Sequence, residues 1–184
     1  MNLDKAIKER GCCRHFKSKD PGMNKIGKIL EAARHAPCAG NIPTVKIILV
    51  DNKKIKAQLA EAALNQIFIA DAPYIAVVCS DAKQCILNYD KRGEMYARQQ
   101  AGAAIENMFL QAVDLKVATC WIGAFDENAV KRICNIPDNI NVEALLPLGY
   151  SMEKKTMKKK PDLNKMVFSN SWKEKFFKPR KFEV

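Results

Sequence analysis

The run from Glu94 to Leu115 limits what this chain can fold into more than any other segment. Ala101, Ala104, Ile105, Met108, Phe109 and Ala112 recur within it at helical spacing and mark a wide apolar face. The small residues on that face suit close packing, either inside a domain core or across a dimer interface. Strand-like runs lie on both sides. Val45 to Val50 and Tyr74 to Cys79 come before it, each expected as a buried strand. Val117 to Ile122 and Val142 to Leu148 come after it, the latter ending at Gly149-Tyr150. Shorter helical patterns fill the intervals. Residues 2–9 place Leu3 and Ile7 on one side, and Lys25 to His35 repeats Ile26, Ile29, Leu30 and Ala33. Asn52 caps a run through Ala63, and Asp126 caps another through Cys134, with Glu127 in its first turn. Residues 80–93 are polar and read as a loop. The pattern is mixed helix and strand, one sheet flanked by helices.

With 184 residues, 48% of them hydrophobic, the chain has the size and core of one domain. Charges interrupt every apolar run, so no segment is expected to span a bilayer. The start, Met1-Asn2-Leu3-Asp4-Lys5, has no signal-peptide core, and a cytoplasmic protein is expected. Seven cysteines with no CxxC pair point to free thiols, not to a disulfide framework or a zinc site. Cys79 and Cys120 sit in apolar runs and read as small core residues. Neither His15 nor His35 has metal-ligand spacing, and both read as structural or surface residues.

The formal charge of +11 is concentrated in two clusters. Lys154, Lys155, Lys158, Lys159 and Lys160 form one; Lys173, Lys175, Lys178, Arg180 and Lys181 form the other. A solvated basic tail, a site for a phosphate-bearing small molecule and a nucleic-acid surface are the three readings. The third is weakest, because aromatics are not interleaved with the first cluster. Trp172, Phe176, Phe177 and Phe182 need burial, either on the chain's own domain or on a partner subunit.

The junction Ala36-Pro37-Cys38-Ala39-Gly40-Asn41 joins a helical run to a strand-like one. A helix that stops at Pro, followed by small residues, lets a ligand lie directly against the main chain. Arg10-Gly11-Cys12-Cys13-Arg14 upstream and Cys120-Trp121-Ile122-Gly123-Ala124-Phe125 downstream complete a set of loops suited to a flat, anionic cofactor.

These segments, in this order, resemble the nitroreductase family of FMN oxidoreductases. Arg10-Gly11-Cys12-Cys13-Arg14-His15-Phe16 occupies the family's Arg-Arg-Ser-x-Arg-x-Phe position. Ala36 to Val45 follows its Ala-Pro-Ser-Ala-Gly-Asn-x-Gln-Pro-Trp motif, and Ala104 to Ala112 its Ala-x-x-Asn-x-x-Leu-x-Ala pattern. Trp121 to Phe125, Pro147-Leu148-Gly149-Tyr150 and Lys159-Lys160-Pro161 continue the series across residues 5 to 165.

The resemblance implies an α+β fold, a central, mainly antiparallel sheet flanked by helices, in an intertwined homodimer. One domain over residues 1–184 is expected, with 151–184 a C-terminal extension packing on the partner subunit. It implies FMN in clefts at the interface and ping-pong hydride transfer. NADH or NADPH would reduce flavin N5 and leave, and a nitroaromatic, quinone or flavin would then accept the electrons. Arg10, Lys159 and Lys160 would serve the phosphate, with Gly11 and Cys12 contributing backbone; Arg14 would sit by the N1–O2 edge and favour the reduced, anionic ring. Pro37, Cys38, Ala39 and Asn41 would come from the second subunit, and Ile122 and Gly123 would line N5. No catalytic side chain is implied, because the flavin does the chemistry.

Four departures from the pattern stand out. Gly11 replaces the second Arg, and Cys12 and Cys38 replace serines, exchanging strong hydroxyl hydrogen bonds for weak thiol ones. Pro43-Thr44-Val45 replaces Gln-Pro-Trp, and Gln100 stands where many members have Asp. The alternative function is a flavin carrier or redox sensor of the same fold with little reductase turnover, using Cys12, Cys13 or Cys38.

Overall fold

A computed structural model of the chain describes residues 2–153 and 159–175. Helix α1 (Leu3–Glu9) starts at Asn2, whose side chain accepts from the Asp4 N–H. Strand β1 (Phe16–Lys17) leads to α2 (Met23–Ala33), a 3-10 turn over Ala39–Asn41, and β2 (Val45–Val50). Asn52 then caps α3 (Lys53–Ala62), accepting from the Lys54 and Ile55 N–H groups. A short α4 (Phe68–Asp71) precedes β3 (Tyr74–Ser80). Two consecutive helices, α5 (Lys83–Tyr89) and α6 (Lys91–Asp114), are followed by β4 (Ala118–Thr119), α7 (Glu127–Cys134) and β5 (Asn141–Ser151).

The sheet runs β1-β5-β3-β2, with β4 also on β5, and every one of these pairings is antiparallel. β5 is the hub. It pairs with β3 from Ser80↔Asn141 to Tyr74↔Leu148, and its far end carries β4 and β1. Side chains of β3 alternate between two cores, as the pleat requires. Tyr74, Ala76 and Val78 face α2 and α6, whose Ile26, Ile29, Ile105, Met108 and Phe109 are buried there. Ile75, Val77 and Cys79 face the opposite way, into a core with Leu59, Ile69 and Val130 from α3, α4 and α7. Helices on both faces explain why β3 is an unbroken apolar run and why all seven of its residues are buried. The expected α+β fold is the observed one.

Three local expectations need correction. Residues 80–93 are not a loop: α5 fills 83–89 and α6 begins at Lys91, not Glu94. Asp90, at φ 48°, turns the chain between them. Gly93 lets them touch, because a Cβ there would lie 2.4 Å from the backbone of Cys85 and Ile86. α5 buries only Cys85 and leaves Ile86 and Leu87 exposed, so it carries little helical periodicity. β2 is an edge strand of this chain and only Val50 is fully buried, so the reading of a buried strand was too strong. The strand expected over Val117–Ile122 is a ladder at Ala118–Thr119 plus a single bridge from Ile122 to Leu145.

Lys154, Lys155 and Lys158 of the first basic cluster lie outside the described residues, as do Phe176, Phe177, Lys178, Arg180, Lys181 and Phe182 of the tail. Trp172 is described: it stacks on Phe168 at 4.7 Å and stays exposed.

Candidate functional site

The candidate residues fall into three groups. The first is the loop after α1. Arg10 closes that helix, its N–H donating to the Ala6 carbonyl at 2.9 Å. Its side chain lies against α6, with Nε 3.3 Å from Glu106 Oε1. That approach lacks hydrogen-bond geometry, so Nε is buried without a partner. A buried guanidinium N–H is costly to leave without a hydrogen bond. Gly11, Cys12 and Arg14 are exposed, whereas Cys13 is buried, its thiol donating to the His15 carbonyl at 3.2 Å and to Ser151 Oγ at 3.3 Å.

The second group is the segment after β4. Cys12 forms a parallel bridge with Thr119, and the Cys13 N–H donates to the Thr119 carbonyl at 2.8 Å. This brings the Arg10–Arg14 loop against the start of Cys120-Trp121-Ile122-Gly123. Ile122 is buried and exchanges both backbone hydrogen bonds with Leu145, at 3.1 and 3.0 Å. Beyond it the chain is pinned again: the Asp126 N–H donates to the Ala62 carbonyl at 2.8 Å, and Gln66 Nε2 donates to the Ala124 carbonyl at 3.2 Å. Asp126 caps α7, accepting from the Ala129 N–H at 3.0 Å. Between these anchors Gly123 is exposed, and its N–H has no partner among the described residues. An open donor on a fixed turn is ready to receive an acceptor atom.

The third group is Pro37–Asn41. Cys38 is half-buried and its Sγ lies 4.0 Å from Asn41 Oδ1, a weak thiol contact. Gly40 and Asn41 both take positive φ, 56° and 58°. Gly40 is required twice over: a Cβ there would meet the Tyr89 hydroxyl at 2.3 Å. Among the described residues no hydrogen bond or ion pair joins this turn to Arg10–Arg14. Lys159 and Lys160 are exposed and likewise make no described contact with the other groups.

Sequence reading missed several supporting contacts. Thr44 is fully buried, and its N–H and hydroxyl both donate to Gln100 Oε1, at 2.9 and 2.5 Å. Both residues depart from the family pattern, and here they are hydrogen-bond partners. Glu106 and Tyr89 carried no signal of their own, since each matters only through what it meets in space.

The thiols also differ from their reading. Cys120 is a core residue, as expected, 1% exposed. Its thiol also interacts with that of Cys12. That interaction, the Trp121 N–H and the charges of Arg14 and Arg10 bring the exposed Cys12 thiol down to about 5. The Cys12 sulfur and burial push Cys120 the opposite way. Cys79 is pushed up to about 12 by burial and is inert.

Two concavities lie elsewhere. One of about 440 Å³ sits among α1, α2 and α6, lined by Leu3, Ala32, Asn107 and Leu110; one of about 200 Å³ lies between β2 and α7. Neither contains a candidate residue. Among the described residues no cluster of His, Cys, Asp or Glu is arranged to hold a metal, and no helix is long and apolar enough to cross a membrane.

A family profile described as the Nitroreductase family matches residues 7–150. The chain is 31% identical over 155 residues to an Archaeoglobus fulgidus protein provisionally named NADH dehydrogenase/NAD(P)H nitroreductase, covering 82% of this chain and 86% of that one. A crystal structure of a nitroreductase family protein from Clostridium novyi superposes with a TM-score of 0.75 at 28% identity, over 96% and 97% of the two chains. NADPH:FMN oxidoreductase from Vibrio harveyi, solved with NAD+, superposes with a TM-score of 0.86 at 19% identity, over 95% and 79%, and so shares the fold.

Proposed function

The chain belongs to the nitroreductase family, and from that premise we propose that it is an FMN-dependent oxidoreductase that takes hydride from NADH or NADPH. The observation that carries the proposal is the buried, unpartnered Nε of Arg10. A phosphate oxygen supplies the aligned acceptor that Glu106, 3.3 Å away but out of line, does not. Arg14 is exposed on the same loop and supplies a second cation. The open Gly123 N–H, on its pinned turn, is the donor assigned to the edge of the ring that exchanges hydride. FMN, when bound, supplies reversible two-electron chemistry, so no acid or base is required of this chain.

The residues present divide the remaining work. Arg10, Gly11 and Cys12 hold the phosphate end, with Lys159 and Lys160 assigned to it from the family pattern. Arg14 places positive charge beside the ring and favours its anionic reduced form. Ile122 and Gly123 would line the ring edge that exchanges hydride first with the nicotinamide and then with the acceptor, a ping-pong order. Pro37, Cys38, Ala39 and Asn41 close the cleft of a partner subunit in a homodimer. Two features support the dimer: the turn makes no described contact with the Arg10 loop, and α1 leaves Leu3 and Ile7 exposed beside the larger groove. The acceptor class is a nitroaromatic, quinone or flavin. The C-terminal extension beyond residue 151 is assigned to the partner's surface.

Purification tests the cofactor. The protein is expected to carry a flavin absorption spectrum and release FMN on denaturation. A colourless preparation that gains no spectrum on addition of FMN overturns the proposal.

A further inference from the structure

The geometry points to a second redox centre in the wall of the same cleft: Cys12 and Cys120 form a dithiol that closes to an intramolecular disulfide when a hydroperoxide oxidises Cys12. The two residues lie far apart in sequence and meet because Cys12 bridges Thr119, the residue before Cys120. That bridge sets the two cysteines on neighbouring backbones, and each is the largest influence on the other's thiol. A disulfide spans Cα atoms about 4.4–6.8 Å apart, the spacing of adjacent backbones, so closure needs no refolding of the loop. Their exposures differ in the way a peroxide-reactive pair requires. Cys12 is exposed and meets solvent oxidant, while Cys120 is buried in the core and shielded from it. Cys13 is excluded as the partner, because its thiol is buried and turned to the His15 carbonyl and Ser151. The interaction with Cys120, the Trp121 N–H and the charges of Arg14 and Arg10 favour the Cys12 thiolate, the nucleophilic form.

The chemistry balances with a hydroperoxide as the oxidant. The Cys12 thiolate attacks one peroxide oxygen, the O–O bond breaks, and Cys12 becomes a sulfenic acid as hydroxide leaves. Cys120 gives up its proton, its sulfur displaces the sulfenic hydroxyl, and the S–S bond forms. The proton from Cys120, and the one Cys12 gave to solvent on becoming a thiolate, turn the two hydroxides into water. With hydrogen peroxide, two thiols lose two electrons and one peroxide becomes two waters. A small dithiol reverses the step by exchange. Closure removes a negative charge from beside Arg10 and Arg14 and ties their loop to the strand that leads to Gly123.

Its location in a cofactor cleft rests on the proposed function; the sulfur chemistry does not, and the test reads sulfur alone. The full-length protein as purified is treated with hydrogen peroxide, unfolded, blocked with iodoacetamide and mapped by mass spectrometry without reduction. The expected result is a cross-linked peptide joining Cys12 to Cys120, two fewer alkylated thiols per chain, and full recovery after dithiothreitol. Cys13→Ala keeps the cross-link, which assigns it within the Cys12-Cys13 peptide. In Cys120→Ser the cross-link disappears and dimedone captures a Cys12 sulfenic acid. The proposal is overturned if the unmodified protein yields over-oxidised Cys12 without a cross-link, a cross-link that Cys13→Ala abolishes, or a Cys12 that remains fully alkylatable. A protein that forms the bridge but binds no FMN keeps this inference and loses the functional one; the converse result does the reverse.

Discussion

Replacing Arg10 by alanine separates a cofactor contact from a structural one, because the two carry different energies at this residue. Among the described residues, the guanidinium pairs with Glu106, at 3.3 Å and without hydrogen-bond geometry. The two side chains are 29% and 45% exposed, so solvent screens the pair. Its loss costs about 0–1 kcal/mol of folding stability. Toward a phosphate the same group makes a charge-assisted hydrogen bond worth about 1.5–3 kcal/mol. At about 1.4 kcal/mol per factor of ten, the Kd for FMN rises about 10- to 150-fold. Titration of apoprotein with FMN, followed by quenching of flavin fluorescence, gives the Kd, and differential scanning fluorimetry gives the stability. Arg10→Lys keeps the charge but loses the planar fork and falls between the two. An Arg10→Ala protein that binds FMN within about threefold of the unmodified chain, a difference under 1 kcal/mol, refutes the phosphate assignment.

Three further outcomes test the supports of the site. Gln100→Ala leaves the buried Thr44 N–H and hydroxyl without their shared acceptor and is expected to cost about 2–4 kcal/mol in urea unfolding, from two unsatisfied donors. Gly40→Ala forces alanine into positive φ, at about 1–2 kcal/mol, and drives its Cβ into the Tyr89 hydroxyl; Gly40→Ala with Tyr89→Phe recovers only the second part. Cys12, lowered to about 5, is already a thiolate above pH 6, so its alkylation rate should stay flat from pH 6 to 8. An ordinary thiol speeds up about tenfold per unit over that range, and such a rise at Cys12 contradicts the assignment.

How far the sequence reached depends on whether a residue's role is local. The helical stripe from Ala101 to Ala112 and the run Tyr74–Cys79 are local patterns imposed by burial on one and two faces, and both elements formed where expected. Asn52 and Asp126 cap their helices, because a cap is a contact between near neighbours. α5 was invisible for the opposite reason: it buries one side chain and is held by backbone packing at Gly93. β2 shows the limit of composition, since Val45–Val50 looks the same at an edge as at a centre. At the candidate site, motif order singled out Arg10, Gly123 and Asn41. The pairings Thr44–Gln100, Arg10–Glu106 and Cys12–Cys120 were not, because each joins residues far apart in sequence. The mismatch of Thr44 and Gln100 to the family pattern was the one signal that pointed to any of them.

Anaerobic mixing of the FMN-loaded protein with NADH, and separately with NADPH, tests the central claim most directly. The absorbance of oxidised flavin is expected to bleach within seconds with at least one nucleotide and to return when a quinone or nitroaromatic acceptor is added. A flavin spectrum unchanged by either nucleotide contradicts the account and leaves a flavin-binding protein without reductase turnover.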